Sequence, residues 1–166
     1  MRVHKGEEGP KASVLSGRAA KNVSRLGSLR AAGRWGDAAW RWGPVILWMA
    51  GIFVFSSLSR PLGPLSDTPY GGPVGRLCHV GEYAGLAALL YRAVRPGQTY
   101  AEAAIRSLLV TLAYALTDEV HQSFVPGREF SVLDLLWDGM GAVLALVGCR
   151  AWSWARRGAE VVGAGK

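Results

Sequence analysis

The chain has 166 residues, half of them hydrophobic, and a formal net charge of +7 at pH 7. This length suits one domain with a tail. The basic residues concentrate at the N-terminus and beside apolar segments, which favours an anionic membrane surface and argues against nucleic acid as the partner.

Residues 1–41 form a basic segment with nine Lys and Arg residues against three acidic ones. Gly, Ser and Ala fill most of the remaining positions. Such a segment buries too little apolar surface to fold alone. We therefore predict a mostly disordered, cytoplasmic N-terminal tail over residues 1–41.

Four segments of predominantly apolar character follow, and each predicts a transmembrane helix. They cover residues 42–58, 77–94, 103–124 and 132–151. The first has 17 residues without a charge, at the lower limit for crossing a bilayer. Residues 59–76 are dense in proline and glycine, which predicts an irregular loop. Residues 152–166 are predicted to form a short cytoplasmic tail.

The second segment places polar side chains on one helical face. His79, Glu82 and Tyr83 follow the spacing of residues that are neighbours on a helix. Gly81 and Gly85 form a GxxxG pair, which predicts the close approach of another helix.

The third and fourth segments are joined by the most polar stretch of the apolar region. Tyr114, Asp118 and His121 share one helical face. The Pro-Gly pair at 126–127 predicts a type II turn. Ser131 is a predicted helix N-cap, with Asp134 three residues later in a capping-box-like position.

The distribution of basic residues predicts the orientation. With four spans, sixteen of the nineteen Lys and Arg residues fall on one side. The positive-inside rule then places both termini in the cytoplasm. His79, the polar end of the third segment and Asp134 converge at the outer leaflet. Ionisable groups cost roughly 2.5–3.5 kcal/mol each at the centre of a membrane helix, so this convergence predicts a site. The predicted fold is all-α: a polytopic membrane protein with four transmembrane helices in a compact bundle.

Two stretches carry a resemblance to a known family. Residues 76–90 read RLCHVGEYAGLAALL, and residues 116–142 read LTDEVHQSFVPGREFSVLDLLWDGMGA. They resemble the VanZ-like membrane proteins over residues 42–149. The resemblance implies a small polytopic protein of the bacterial cell membrane. The founding member of that family is associated with resistance to the glycopeptide antibiotic teicoplanin, by a mechanism that is not established.

The resemblance implies a set of site residues by motif position. They are His79, Glu82, Tyr83, Asp118, Glu119, Gln122, Arg128 and Asp134. The chain departs from the family pattern at two places. Gly75 and Arg76 stand where an Asp-Lys pair is common, and Asp138 stands where an Asn is common.

The leading hypothesis is a binding site near the outer leaflet. Tyr83, Gln122, Arg128 and Asp134 are its predicted binding residues, because an arginine offers a bidentate fork to phosphate or carboxylate. The predicted partners are the lipid bilayer and a lipid-linked cell-wall intermediate or lipoglycopeptide. The protein is then expected to influence susceptibility to teicoplanin-type antibiotics.

A second hypothesis is an enzyme that hydrolyses or transfers a lipid phosphate. His79, Glu82, Asp118 and Glu119 are the candidate acids and bases. No cofactor is predicted outright, but His79, Asp118 and His121 are the candidate ligands of a divalent metal.

A third hypothesis is that the cluster is purely structural. Buried charges can pair simply to make a membrane helix tolerable. The candidate pairs are His79–Asp118, Glu82–Arg128 and Glu119–Arg128. The residues also leave open transport and a homo-oligomer.

Overall fold

The structure, a computed structural model, describes the backbone of residues 36–163 and the side chains of residues 36–157. Contacts divide the chain after Trp40, and residues 41–166 form the unit that contains every contact discussed below. The described residues form four α-helices and one 3-10 helix, with no strand, which confirms the all-α prediction. They are α1 (Gly36–Ser56), the 3-10 helix (Gly63–Asp67), α2 (Gly71–Val94), α3 (Tyr100–Gln122) and α4 (Val132–Gly163).

The helices at both ends of the chain are longer than predicted. Residues 36–41 belong to α1, so this part of the predicted disordered tail is helical; the rest of the tail lies outside the described residues. Helix α4 begins at Val132 as predicted but continues to Gly163, through most of the predicted C-terminal tail. In both cases the helix runs on past the apolar segment, since length and apolarity fix only the part that would lie in a bilayer.

The prediction that residues 59–76 are irregular is wrong in part. The 3-10 helix Gly63–Asp67 has its proline in the first turn, and α2 already begins at Gly71. Proline is tolerated in a first helical turn, because the amide it lacks would have no partner there. Gly71 is required by space, since a Cβ there would lie 2.7 Å from the Leu65 carbonyl oxygen.

Helix α3 starts at a capping box. The Thr99 side chain accepts from the Glu102 amide, and the Glu102 carboxylate accepts from the Thr99 amide at 2.9 Å. These hydrogen bonds from Thr99 hold the pKa of Glu102 below its ordinary value, because they favour the charged carboxylate. The start of α3 is therefore fixed three residues before the predicted span.

Two hydrogen bonds between α1 and α3 define the relative direction of these helices. Tyr114 Oη donates to the Met49 carbonyl at 2.6 Å, and Ser56 Oγ donates to Asp118 Oδ2 at 2.8 Å. Later residues of α1 thus meet later residues of α3. The two helices run in the same direction.

Helix α2 runs opposite to α1. Arg92 donates to the Arg41 carbonyl at 3.1 Å, and Trp48 Nε1 donates to the Glu82 carbonyl at 2.8 Å. A Cβ at Gly85 would lie 2.5 Å from the Trp48 ring, so this half of the GxxxG pair receives a close neighbour. The other half, Gly81, has nothing within 4 Å of such a Cβ.

Helix α4 lies against α2 in the same direction. His79 contacts Asp138, and one turn later a Cβ at Gly141 would lie only 2.3 Å from the Val80 carbonyl oxygen. Helix α3 is antiparallel to α4, since Tyr100 at its start donates to the Leu146 carbonyl at 2.9 Å. Successive helices therefore alternate in direction. The end of α1, the start of α2, the end of α3 and the start of α4 meet at one end, which we call the polar end.

The core is built around α2. One buried cluster joins Tyr83, Leu86 and Leu90 to α1 and α3, and a second joins Ala87 and Tyr91 to α3 and α4. From residue 78 to its end, α2 exposes no large hydrophobic side chain. Helix α2 is thus the central element on which the other three pack.

The outer surfaces of α1, α3 and α4 are strongly apolar. Exposed large side chains include Leu47, Val54, Ile105, Leu109, Leu116, Leu136, Leu144 and Val147. A soluble monomer rarely exposes so many large apolar side chains on its helices. By length and composition, α1 and the Val132–Arg157 part of α4 are able to cross a bilayer. The surface and these two helices both indicate a membrane environment.

Candidate functional site

Most of the predicted site residues are buried at the polar end. His79, Tyr83, Asp118, Glu119 and Gln122 are buried, whereas Glu82, Arg128, Asp134 and His121 are partly exposed. Glu119 and Tyr83 are fully buried. The site therefore draws on α2, α3, the α3–α4 turn and α4.

The imidazole of His79 is held by α4. Its Nδ1 lies 2.9 Å from Asp138 Oδ1, and Asp138 is fully buried. Such a bond fixes the ring orientation and leaves Nε2 as the second functional atom. Asp138 was not among the predicted site residues. The available signal was its position four residues after Asp134, on the same face of α4.

Asp118 is the centre of a hydrogen-bonded chain that ends at an arginine. Asp118 Oδ2 accepts from Ser56 Oγ and from Gln122 Nε2, both at 2.8 Å. The Gln122 carbonyl oxygen in turn accepts from Arg128. Ser56 was missed by the sequence reasoning, although a serine at the end of an apolar helix is a signal for a buried polar contact.

Glu119 caps α4 from α3. The Ser131 side chain accepts from the Asp134 amide at 3.1 Å, which is the predicted N-cap. In a complete capping box, the Ser131 amide would donate to the Asp134 side chain. Here the Ser131 amide donates instead to Glu119 Oε2, at 2.9 Å. The turn between these helices also matches its prediction: Gly127 has φ +81°, and the Arg128 amide donates to the Val125 carbonyl at 3.1 Å.

His121 lies apart from His79. Its Nε2 is 3.1 Å from Ser57 Oγ, and its ring stacks on Phe53 with 4.5 Å between centroids. Among the described residues, ligand atoms of His79, Glu119 and Asp138 all lie within 4.8 Å of one another. Of the three predicted metal candidates, this group contains His79; Asp118 and His121 are outside it.

Each of the three buried carboxylates leaves one oxygen without a hydrogen-bond partner. These atoms are Asp118 Oδ1, Glu119 Oε1 and Asp138 Oδ2. The buried hydroxyl of Tyr83 has no partner either. Buried polar groups are normally hydrogen-bonded, so four such atoms at one end of the molecule require an explanation.

None of the three ion pairs that would make the cluster purely structural is present among the side chains of residues 36–157. The salt bridges there are His79–Asp138 and an exposed pair, Arg60–Asp67. Arg128 contacts the neutral amide of Gln122, forms no salt bridge in this part of the chain, and interacts with the Glu82 carboxylate only at longer range. Its guanidinium therefore has donors left for a ligand.

A small polar pocket opens beside these residues. It has a volume of about 50 Å³, and its walls include His79, Glu82, Gln122 and Arg128. A much larger apolar groove of about 810 Å³ runs between α1 and α2. The pocket and the groove share Phe55 and Glu82 in their walls. The pocket and the groove are thus adjacent.

The all-helical fold of the described residues, their apolar outer surface and the two helices of membrane-spanning length indicate a helical membrane protein. Within that class, a family model described as VanZ/LLP1 matches residues 42–153, and the chain belongs to this family. No curated protein and no solved structure matches the chain. The family match confirms the resemblance carried by the two motif stretches.

Proposed function

We propose that all four helices cross the membrane, with both termini in the cytoplasm and the polar end at the outer leaflet. The alternating helix directions support four crossings. Arg92 and Arg95 close α2 at the end opposite to the buried acids, and Arg150 stacks over Tyr100 at that same end. The positive-inside rule, which counts Lys and Arg residues, favours the cytoplasmic side for the end that carries these arginines.

A reporter that is active only in the periplasm is expected to be silent when fused after Lys166. The same reporter inserted between Pro126 and Gly127 is expected to be active, because this turn lies at the polar end. Protein levels of the two fusions are compared by immunoblot as a control. An active C-terminal fusion would contradict the proposed orientation.

We further propose that the polar end binds an amphiphile with an anionic head group. The observation that carries this proposal is Arg128, which lines the pocket and forms no salt bridge with any of the described side chains. A guanidinium presents five donors in a fork that matches phosphate and carboxylate, and Gln122 occupies only part of them. Glu82, in the wall shared with the groove, offers an acceptor to a hydroxyl or ammonium group.

The apolar groove suits the hydrocarbon part of the same molecule. Trp48, Ile52 and Leu89 are among its lining residues, and it is open to the outer surface between α1 and α2. A lipid-linked cell-wall intermediate or a lipoglycopeptide combines a hydrocarbon chain with a polar, charged head. Binding of such a molecule in the cell envelope would alter susceptibility to teicoplanin-type glycopeptides, in keeping with the family resemblance.

Replacing Arg128 with glutamine is expected to weaken binding of a polyprenyl pyrophosphate about 10-fold or more. The reason is that charge-assisted hydrogen bonds to the head group contribute about 1.5–3 kcal/mol. Binding is measured on protein in nanodiscs by competition with a fluorescent polyprenyl lipid. The neutral polyprenol is expected to bind Arg128→Gln and the unaltered protein alike.

Arg76→Gln is the matched control, because Arg76 is exposed at the polar end and outside the pocket. Equal affinity of Arg128→Gln and Arg76→Gln for the pyrophosphate would refute the head-group assignment.

In cells, normal protein levels with altered teicoplanin susceptibility for His79→Ala and Arg128→Ala would support a ligand site. Loss of both proteins would support the structural hypothesis.

The second candidate function is hydrolysis or transfer of a lipid phosphate. It is favoured by one observation: His79 lines the pocket and is oriented by Asp138, as a general base requires. Phosphate release from polyprenyl pyrophosphate tests it. Turnover that His79→Gln abolishes would support the enzyme, and binding without turnover by the unaltered protein would refute it.

A further inference from the structure

We propose that His79, Glu119 and Asp138 form a binding site for a single divalent ion of the Zn²⁺ or Mn²⁺ class. One ligand atom from each residue lies within 4.8 Å of the other two. Ions of this class bind nitrogen and oxygen ligands at about 2.0–2.2 Å, so adjacent ligands are about 3 Å apart and opposite ones somewhat over 4 Å. His79 Nδ1 and Asp138 Oδ1 lie 2.9 Å apart in a hydrogen bond that brings the two side chains together, and an ion bound by both of these atoms would replace that bond.

The unpaired oxygens supply the observation that points to a cation. Glu119 Oε1 and Asp138 Oδ2 are buried without a hydrogen-bond partner, and both residues are fully buried. A bound ion with its water would satisfy carboxylate oxygens that the protein leaves unpaired.

The charge of the cluster points the same way. Asp118, Glu119 and Asp138 are three carboxylates with exposed fractions of 4%, 0% and 0%, and His79 is the basic residue paired with one of them. Buried carboxylates require a counter-charge or a proton. Arg128 is directed to Gln122 and does not neutralise them. A dication would balance two of the three charges at the place where their free oxygens lie.

The ligand set selects the class of ion. An imidazole with carboxylates suits Zn²⁺ and Mn²⁺, whereas Ca²⁺ and Mg²⁺ prefer oxygen ligands alone. Of the three ligands, Glu119 has a second bond that holds its carboxylate, since the Ser131 amide donates to Glu119 Oε2. His79 in the wall of the 50 Å³ pocket gives the ion a route from the surface. The site does not depend on the proposed amphiphile, which contacts Arg128.

The test uses the full chain purified in detergent, stripped with a chelator and dialysed. Titration with ZnCl₂ and with MnCl₂ is expected to show one bound ion per chain. Removal of outer ligands weakens metal sites by about 10- to 100-fold, so loss of a direct ligand is expected to weaken binding about 100-fold or more. The ligand variants are His79→Gln, Glu119→Gln and Asp138→Asn. The matched controls, His121→Gln and Glu129→Gln, lie outside the cluster and are expected to bind as the unaltered protein does.

With these substitutions, an effect on folding can be distinguished from an effect on metal binding. Glutamine at 119 retains an oxygen for the Ser131 amide, and asparagine at 138 has the same shape as aspartate. Thermal unfolding of each stripped variant checks folding, and the absorption bands of bound Co²⁺ give a readout on the unaltered protein that needs no variant. Absorption bands typical of Co²⁺ with nitrogen and oxygen ligands would support the site if they are present in the unaltered protein and the control variants and absent in the ligand variants. Absence of a bound ion in the unaltered protein, or equal binding by ligand and control variants, would overturn it. Arg128→Gln is expected to leave metal binding unchanged, so failure here does not bear on the head-group assignment.

Discussion

Replacing Gly141 with alanine is expected to lower the free energy of unfolding by about 3 kcal/mol or more, at the upper end for an overpacked core. A Cβ there would lie 2.3 Å from the Val80 carbonyl oxygen and 3.0 Å from both its carbonyl carbon and its Cα. The obstacle is backbone, so no change of rotamer relieves it, and α2 and α4 must separate. The loss is measured by tryptophan fluorescence during chemical unfolding in detergent.

Gly148→Ala is the control for this prediction. Gly148 lies on the same helix with nothing within 4 Å of an added Cβ. Alanine there is expected to leave stability unchanged or to raise it by up to about 1 kcal/mol, since it replaces a glycine inside a helix. Similar losses for Gly141→Ala and Gly148→Ala would contradict the close approach of α2 and α4.

The same contact controls the site. His79 precedes Val80 directly, and Asp138 lies one turn before Gly141, so separation of α2 and α4 lengthens the 2.9 Å contact between His79 and Asp138. Gly141→Ala is therefore also expected to weaken any function that uses this pair. Folding and site geometry depend on one glycine because it is the point where two backbones touch.

Helical periodicity predicted which residues share a face, and α3 is the clearest case. Tyr114, Asp118 and His121 were placed on one face, and all three contact α1. Periodicity gives this result because each residue turns the helix by about 100°. It does not say which neighbouring helix the face meets, since any apolar helix offers a similar surface. The contact with Ser56 was missed for that reason.

The partner of His79 could not be predicted from the sequence for a related reason. Asp118 and Asp138 are both acids near the same end, and either is chemically suitable. The choice depends on the height at which α2 and α4 pack, which the Val80–Gly141 contact fixes. The choice of metal ligand on α3 has the same limit. Glu119 and His121 are two residues apart in the sequence, so their side chains point in directions about 200° apart around the helix. Only the packing decides that Glu119 faces His79 and His121 faces Phe53.

Replacing Asp118 with alanine is expected to be the second most damaging change, with a loss of about 2–4 kcal/mol. Its Oδ2 is the acceptor for Ser56 Oγ and for Gln122 Nε2, and a buried donor left unpaired costs about 1–3 kcal/mol. Asp118→Asn keeps one acceptor oxygen and is expected to lose less than half as much. The free energy of unfolding is again measured by tryptophan fluorescence.

Asp67→Ala is the matched control for the loss of an acid at the same end. Asp67 is exposed and pairs with exposed Arg60, and such surface pairs contribute about 0–1 kcal/mol. The comparison of Asp118→Ala with Asp67→Ala tests whether the Asp118 carboxylate stabilises the contact between α1 and α3 or is only an uncompensated buried charge. If Asp118 were only an uncompensated charge, alanine would relieve it and stability would rise. A fall for Asp118→Ala with a smaller fall for Asp118→Asn is therefore the result that assigns Asp118 to the hydrogen-bonded chain between Ser56 and Arg128.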